Sequence, residues 1–100
     1  NPDAKLGTNC NITNGVTIGQ VNTGKLKGVP TIGNKVWVGS NAVIVGKIQI
    51  GSNVLIAPNA FVNFDVPDNS VVIGNPGQIH QKDNPTDGNI VYLLPPLQPA

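Results

Sequence analysis

The 100-residue sequence contains no arginine, no glutamate and no methionine, and only one cysteine, one histidine and one tryptophan. A single cysteine excludes a disulfide framework and a cysteine-rich zinc site within one chain. A single histidine excludes any one-chain mechanism that needs two. Charged residues make up 11% of the chain, less than half of the usual globular share. No apolar run approaches the ~20 residues needed to span a bilayer. There is no initiating methionine and no signal-peptide pattern, so the sequence predicts a fragment or a trimmed product. What the chain has in quantity is 12 glycines, 9 prolines and 14 asparagines. Its length allows one domain.

Charge is segregated along the chain. Five lysines (Lys5, Lys25, Lys27, Lys35, Lys47) and no acid lie between Ala4 and Phe64, whereas four acids and Lys82 follow from Asp65. A basic body attracts an anionic ligand such as a phosphate-bearing cofactor, or it only solvates a low-charge surface. Without arginine or a basic-aromatic stripe, nucleic acid is not an expected partner.

The dominant signal is a repeat. Leu6, Ile12, Ile18, Ile32, Val38, Ile44, Ile50, Ile56 and Val62 recur at a step of six, with one jump of 14 between Ile18 and Ile32. Two positions before each stands a small or β-branched residue or Pro30, as in Cys10, Val36, Ala42, Val54 and Ala60. Gly follows the key aliphatic at Gly7, Gly19, Gly33, Gly39 and Gly51. Three positions after it come Asn9, Gly15, Asn41, Asn53, Asn59 or Asp65. Side chains alternate along a strand, so the residues at i−2 and i share one face. Gly, Asn and Asp accept the conformations that a corner needs. Each hexad therefore reads as one short strand and one bend, and stacking buries the face that a single hexad cannot bury. No 3.6-residue period fits.

This pattern resembles the hexapeptide-repeat acyltransferase superfamily. The resemblance implies an all-β fold, a left-handed parallel β-helix with three hexads per triangular coil. Nine hexads make three coils, with a partial fourth at Val71, Val72, Ile73 and Gly74. The expected organisation is a β-helix domain over 1–79 and an irregular tail over 80–100. The jump of 14 pushes out a protruding loop over 20–29. Residues just before the key aliphatic point outward, which stacks Trp37 with Leu55, Val43 with Phe61, and Thr31 with Gln49. Two of three faces thus carry outward apolar residues, the mark of partner or ligand surfaces. The family's trimers would use them. The apolar run Ile90–Leu94 is expected to pack on the prism or a neighbour.

Within the superfamily the chain is most similar to serine acetyltransferases. The matching text is Gly15-Val16-Thr17-Ile18-Gly19, Pro30-Thr31-Ile32-Gly33, Val36 to Ala42, Ile56-Ala57-Pro58-Asn59-Ala60, Asp65-Val66-Pro67 and Gly74-Asn75-Pro76. The resemblance implies acetyl transfer from acetyl-CoA to a hydroxyl of serine or a sugar, without a metal, by a cytoplasmic homotrimer. It implies a general-base histidine and backbone N–H groups that hold the thioester carbonyl. It places coenzyme A along Gly19, Ser40, Pro58, Asn59 and Asn63, and Lys25, Lys27 or Lys47, from this or a neighbouring subunit, would serve its phosphates. One family histidine lies upstream of the region seen here, and the position of the other is Val29. The positions where related sugar acetyltransferases hold phosphates with lysine and arginine are Phe64 and Gln78. His80 matches neither histidine and reads as ordinary surface. Cys10 reads as a small core residue.

The competing reading is a non-catalytic or truncated β-helix acting as a trimeric structural or assembly module. A zinc-dependent β-helical carbonic anhydrase needs three histidines. Ice binding needs a longer threonine row than Thr17 and Thr31 supply.

Overall fold

The computed structural model of the protein describes residues 3–82 and 86. The described residues hold eleven short strands and no helix. In chain order they are β1 (Lys5–Leu6), β2 (Asn11–Ile12), β3 (Thr17–Gly19), β4 (Thr31–Ile32), β5 (Val36–Val38), β6 (Val43–Val45), β7 (Gln49–Ile50), β8 (Val54–Ile56), β9 (Phe61–Val62), β10 (Ser70–Ile73) and β11 (Gln78–Gln81). They form three sheets that wrap one axis: β1-β4-β7 (sheet A), β11-β10-β8-β5-β2 (sheet B) and β3-β6-β9 (sheet C). Every pairing except β10 with β11 is parallel.

The register explains the repeat. Trp37 pairs with Leu55 and Val43 with Phe61, eighteen positions on, so three hexads close one coil. Thr17 pairs with Val43, twenty-six positions on, because this turn carries the eight extra residues of the loop. Inward side chains then stack in columns. Val36, Val38, Ala42, Ile44, Val54, Ile56 and Val62 are all buried in one core. Equivalent positions in the first coil have no coil beneath them among the described residues. Leu6 is 50% and Ile12 37% exposed, and Cys10 is half-buried, with Sγ 3.2 Å from the Gly33 carbonyl oxygen.

Glycine after the key aliphatic has a specific cause at the corner between sheets A and B. A Cβ on Gly33 would lie 2.7 Å from the Gly51 carbonyl oxygen and from Ser52 Oγ. The next residue in each coil reaches across to the neighbouring coil. Thr8 N–H donates to Asn34 Oδ1 (2.8 Å), Asn34 N–H to Ser52 Oγ (3.0 Å) and Ser52 N–H to Asp68 Oδ1 (2.7 Å). These bonds satisfy backbone donors that the strands leave open.

Asn9, Asn41, Asn53 and Asn59 take positive φ, as the sequence predicts, and so does Gly15. Asp65 does not. Its carboxylate instead accepts the Gln49 N–H at 2.8 Å. Lys35 also holds a φ of 55° in the column with Asn9, Asn53 and Asn69. A lysine there carries the steric cost of a Cβ with none of asparagine's local compensation. Lys35→Asn is therefore expected to stabilise the fold by about 0.5–1 kcal/mol. A rise of a few degrees in Tm checks it; a fall contradicts this account of the corner.

The break in period after Val62 is a contraction. Val54 pairs with Ser70, sixteen positions on, so the last turn is two residues short and then resumes in register. The tail also begins differently from expectation. Gln78–Gln81 is a regular strand antiparallel to β10, and the boundary drawn at 79 falls inside it. Its lock is Gln81, whose Nε2 donates to the fully buried Ser70 Oγ at 2.7 Å.

Leu55 corrects a second expectation. It lies on the outward side of sheet B, yet it is 0% exposed, in a small cluster with Ala57, Val71, Trp37 and Ile73. β10 extends the sheet by one strand and brings Val71 beside Leu55. Nearby, Thr86 Oγ1 donates to Asn53 Oδ1 at 2.5 Å. This face is not an open apolar surface. The predicted packing of Ile90–Leu94 lies outside the described residues.

Candidate functional site

The residues assigned to a donor site fall at the two ends of one sheet. Ser40, Pro58 and Asn59 lie at the corner between sheets B and C. There the Asn59 N–H donates to the Ser40 carbonyl at 3.0 Å, and a Cβ on Gly39 would meet the Pro58 ring. Ser40 Oγ is itself fixed, 3.3 Å from Asn14 Oδ1 and 3.4 Å from Thr13 Oγ1. Gly19 and Asn63 lie at the opposite end of sheet C. Gly19 pairs with Val45, and Asn63 directly follows Val62, the partner of Ile44. Between the two corners the outward residues are exposed Thr17 and half-buried Val43 and Phe61. The five sequence-selected residues thus bracket one partly apolar face.

The loop that carries Lys25 and Lys27 springs from the Gly19 end. Val21 and Gly28 close its base with a pair of backbone bonds, 3.0 and 2.9 Å long. Leu26 turns inward and packs on the core, while Lys25 and Lys27 on either side stay exposed. The loop is held against the second coil. The Lys47 N–H donates to the Leu26 carbonyl at 2.8 Å, and a Cβ on Gly28 would lie 2.9 Å from Lys47 Cβ. Lys25, Lys27 and Lys47 therefore belong to one basic corner beside Gly19. Leu26 was the missed anchor. Its signal was a lone aliphatic residue between two lysines in a polar loop.

Other candidates are not brought together. Val29 is half-buried before the buried Pro30 and offers no titratable group. His80 pairs with Val71 on sheet B, a different face from the one that the donor residues bracket. Phe64 is part of the core packing, and a Cβ on Gly77 would approach its ring to 3.0 Å. Gln78 is exposed at the start of β11. The C-terminal rim of sheet C therefore carries an aromatic plug, Phe64. Among the described residues no three His, Cys, Asp or Glu side chains gather into a metal-binding group.

Sequence reasoning also missed a hollow of about 470 Å³ on the sheet A side, lined by Thr31, Gln49, Gly51, Asp65, Pro67 and Asp68. Here the chain continues sheet A for one residue: Val66 bridges Ile50 in parallel, its N–H donating to the Gln49 carbonyl at 2.9 Å and its carbonyl accepting the Gly51 N–H at 2.8 Å. One oxygen of each carboxylate is used on a backbone N–H, of Gln49 and of Ser52. The only trace in the sequence is the shortened spacing before Asp65-Val66-Pro67-Asp68.

Residues 30–63 match the family model described as bacterial transferase hexapeptide (six repeats). A serine acetyltransferase of Mycobacterium tuberculosis is 38% identical over 95 residues, which cover 94% of this chain and 42% of that protein. The crystal structure of the Neisseria gonorrhoeae serine acetyltransferase superposes with a TM-score of 0.70 at 31% identity, over 89% of this chain and 44% of that one. A serine acetyltransferase from Brucella abortus strain S19, solved in complex with coenzyme A, gives a TM-score of 0.67 at 27% identity, over 82% of this chain and 41% of that one. The chain thus spans less than half the length of these relatives.

Proposed function

Because this chain is a left-handed parallel β-helix of the hexapeptide-repeat class, homologous to serine acetyltransferases, we propose that it is the donor-binding part of an acetyl-CoA-dependent serine O-acetyltransferase. The observation that carries this reading is the bracketing of sheet C by Ser40, Pro58 and Asn59 at one corner and by Gly19 and Asn63 at the other. An extended acyl-CoA would lie across Thr17, Val43 and Phe61, with its phosphates toward Lys25, Lys27 and Lys47. These lysines would substitute for the cations missing at Phe64 and Gln78. A flexible lysine offers a point charge where arginine would offer a fork.

In the proposed reaction the serine hydroxyl oxygen attacks the thioester carbon. The carbon–sulfur bond breaks, and the coenzyme A thiol takes the proton that the hydroxyl gives up. A general base must receive that proton first. Val29 holds no base, and His80 lies on another face. The base is therefore proposed to come from outside these 100 residues, either upstream or from another subunit. A homotrimer is supported by sheet C, whose outer face keeps Val43 and Phe61 partly open. Sheet B, by contrast, is closed over Leu55. The donor would be drawn from the cytoplasm. A non-catalytic β-helical module is the second reading, favoured by Val29 and Phe64.

Ligand-induced stabilisation separates the two. Acetyl-CoA at a hundred times its Kd is expected to stabilise the fold by about 2.7 kcal/mol, roughly 14 °C in Tm. Lys25→Ala with Lys27→Ala is expected to weaken binding about tenfold, the loss of a charge-assisted contact. A Tm that does not respond to acetyl-CoA favours the module.

A further inference from the structure

We propose that the free edge of β11 binds a second copy of this chain, strand against antiparallel strand, about a two-fold axis at His80. The hydrogen bonds fix which backbone groups face outward. The Ala57 N–H donates to the Val72 carbonyl at 2.9 Å, so Val72 faces β8. Backbone groups alternate sides along a strand. Val71 and Ile73 therefore face β11, where their partners are His80 and Gln78. The Lys82 N–H donates to the Asn69 carbonyl at 2.8 Å, which continues the same alternation. Ile79 and Gln81 thus turn their N–H and C=O groups away from β10. Among the described residues these groups have no hydrogen-bond partner. All of Gln78–Gln81 is exposed.

The other two sheets are closed at this end of the prism. Val66 bonds back to Gln49 and Gly51 over sheet A. Over sheet C, Phe61 is met by Gly74 and Gly77, through bonds of 2.9 and 3.0 Å. Exposed strand edges are normally blunted by charge, proline or a bulge. Gln78-Ile79-His80-Gln81 has no proline and no permanent charge, and it pairs with β10 without a bulge. The strand is also held in place, because Gln81 Nε2 is fixed on the buried Ser70 Oγ. A preordered edge loses little freedom on pairing.

The edge itself selects the occupant. Facing residues of an antiparallel pair exchange both of their backbone bonds. With the axis at His80, Ile79 faces Gln81 of the second copy and Gln81 faces its Ile79, so every outward group of both strands is matched. An axis at Ile79 or at Gln81 leaves outward groups of β11 unmatched. Charge agrees with self-pairing, since Lys82 falls opposite the uncharged Gln78 of the second copy. His80 then faces its own copy in a non-hydrogen-bonded pair, with Cα atoms about 4.5 Å apart. Like charges directly opposite are destabilising, and histidine changes charge between about pH 8 and 5. β10 is the strand packed on β11, and Ser70–Ile73 hold no titratable group. The charged residue on the same side of the chain is Lys82, two positions on. No acid on either strand offsets two imidazolium charges, so acid opens the pair.

The test is analytical ultracentrifugation of the folded 100-residue chain at rising concentration, up to about 1 mM. At about pH 8 the mass of the assembly, single chain or trimer, is expected to double with concentration, and at about pH 5 to stay undoubled. Amide exchange followed by NMR is expected to slow on doubling at Ile79 and Gln81, and not at Gln78 and His80, which β10 already binds. Ile79→Pro removes an outward N–H and leaves the bonds to β10, a change that edge strands accept. It is expected to abolish doubling and to leave Tm nearly unchanged. His80→Gln is expected to double at both pH values, and His80→Lys at neither. No doubling of the unsubstituted chain at about 1 mM and pH 8 overturns the proposal, and so does doubling that survives Ile79→Pro. If Ile79→Pro unfolds the chain, His80→Lys decides, since it keeps every backbone bond; doubling of that variant overturns the proposal. Doubling of the unsubstituted chain that ignores pH overturns the axis at His80.

Discussion

Replacing Gly33 by Ala is expected to cost about 3 kcal/mol, the upper end for forcing an extra methyl group into a packed interior. In a domain of this size that is a loss of roughly 15 °C in Tm. The new Cβ would sit 2.7 Å from the Gly51 carbonyl oxygen and 2.8 Å from its carbon. Backbone cannot rotate aside as a side-chain tip can. The coil above would have to lift, and the Asn34 N–H to Ser52 Oγ bond would stretch with it. Gly19 occupies the same place in its hexad and provides the control. It stacks on Val45, its added Cβ would lie 3.3 Å from Val45 Cγ1, and its φ is not in the left-handed region. Gly19→Ala should therefore cost less than about 1 kcal/mol. Thermal denaturation of the two variants checks the contrast, and equal losses would contradict the close stacking of corners.

The second large effect is expected at Ile56. It is fully buried, and its strand neighbours on either side are Val38 and Val72. Ile56→Ala leaves a void between coils that are each held only by their neighbours. The expected cost is about 2–5 kcal/mol, a large part of the stability of an ordinary domain. Ile12 belongs to the same column at the open end and is 37% exposed. Ile12→Ala should cost at most about 1 kcal/mol, since a partly solvated side chain loses less on truncation. Urea denaturation reads both. A similar midpoint for the two variants would place the core elsewhere.

These two residues also show why the fold was legible. Inward positions repeat every six residues because each must fill the same column, and the glycines repeat because the coil above stands where their Cβ would be. Other features leave no periodic trace. Lys35 takes a positive φ because the corner column fixes it, against its own preference. Leu55 reads as outward and therefore exposed, and alternation cannot say that β10 will bring Val71 against it. β11 consists of Gln78, Ile79, His80 and Gln81, a polar-looking stretch whose strand character comes from pairing with β10.

The candidate site was legible in the same uneven way. Ser40, Pro58 and Asn59 share one corner because the hexad register stacks them, and Gly19 and Asn63 share the other. Lys25, Lys27 and Lys47 were candidates from the sequence, but that they share one corner required folding to become visible. Lys47 joins Lys25 and Lys27 only because Leu26 pins the loop to the second coil. Phe64 looked like a lost phosphate contact, and the structure uses it to close the end of the core.

The most direct test of the central claim is a calorimetric titration of the folded 100-residue chain with acetyl-CoA. The account predicts saturable binding at one site per chain. A folded chain that takes up no acetyl-CoA at about 1 mM ligand, where even a weak site of that Kd is half filled, would contradict it.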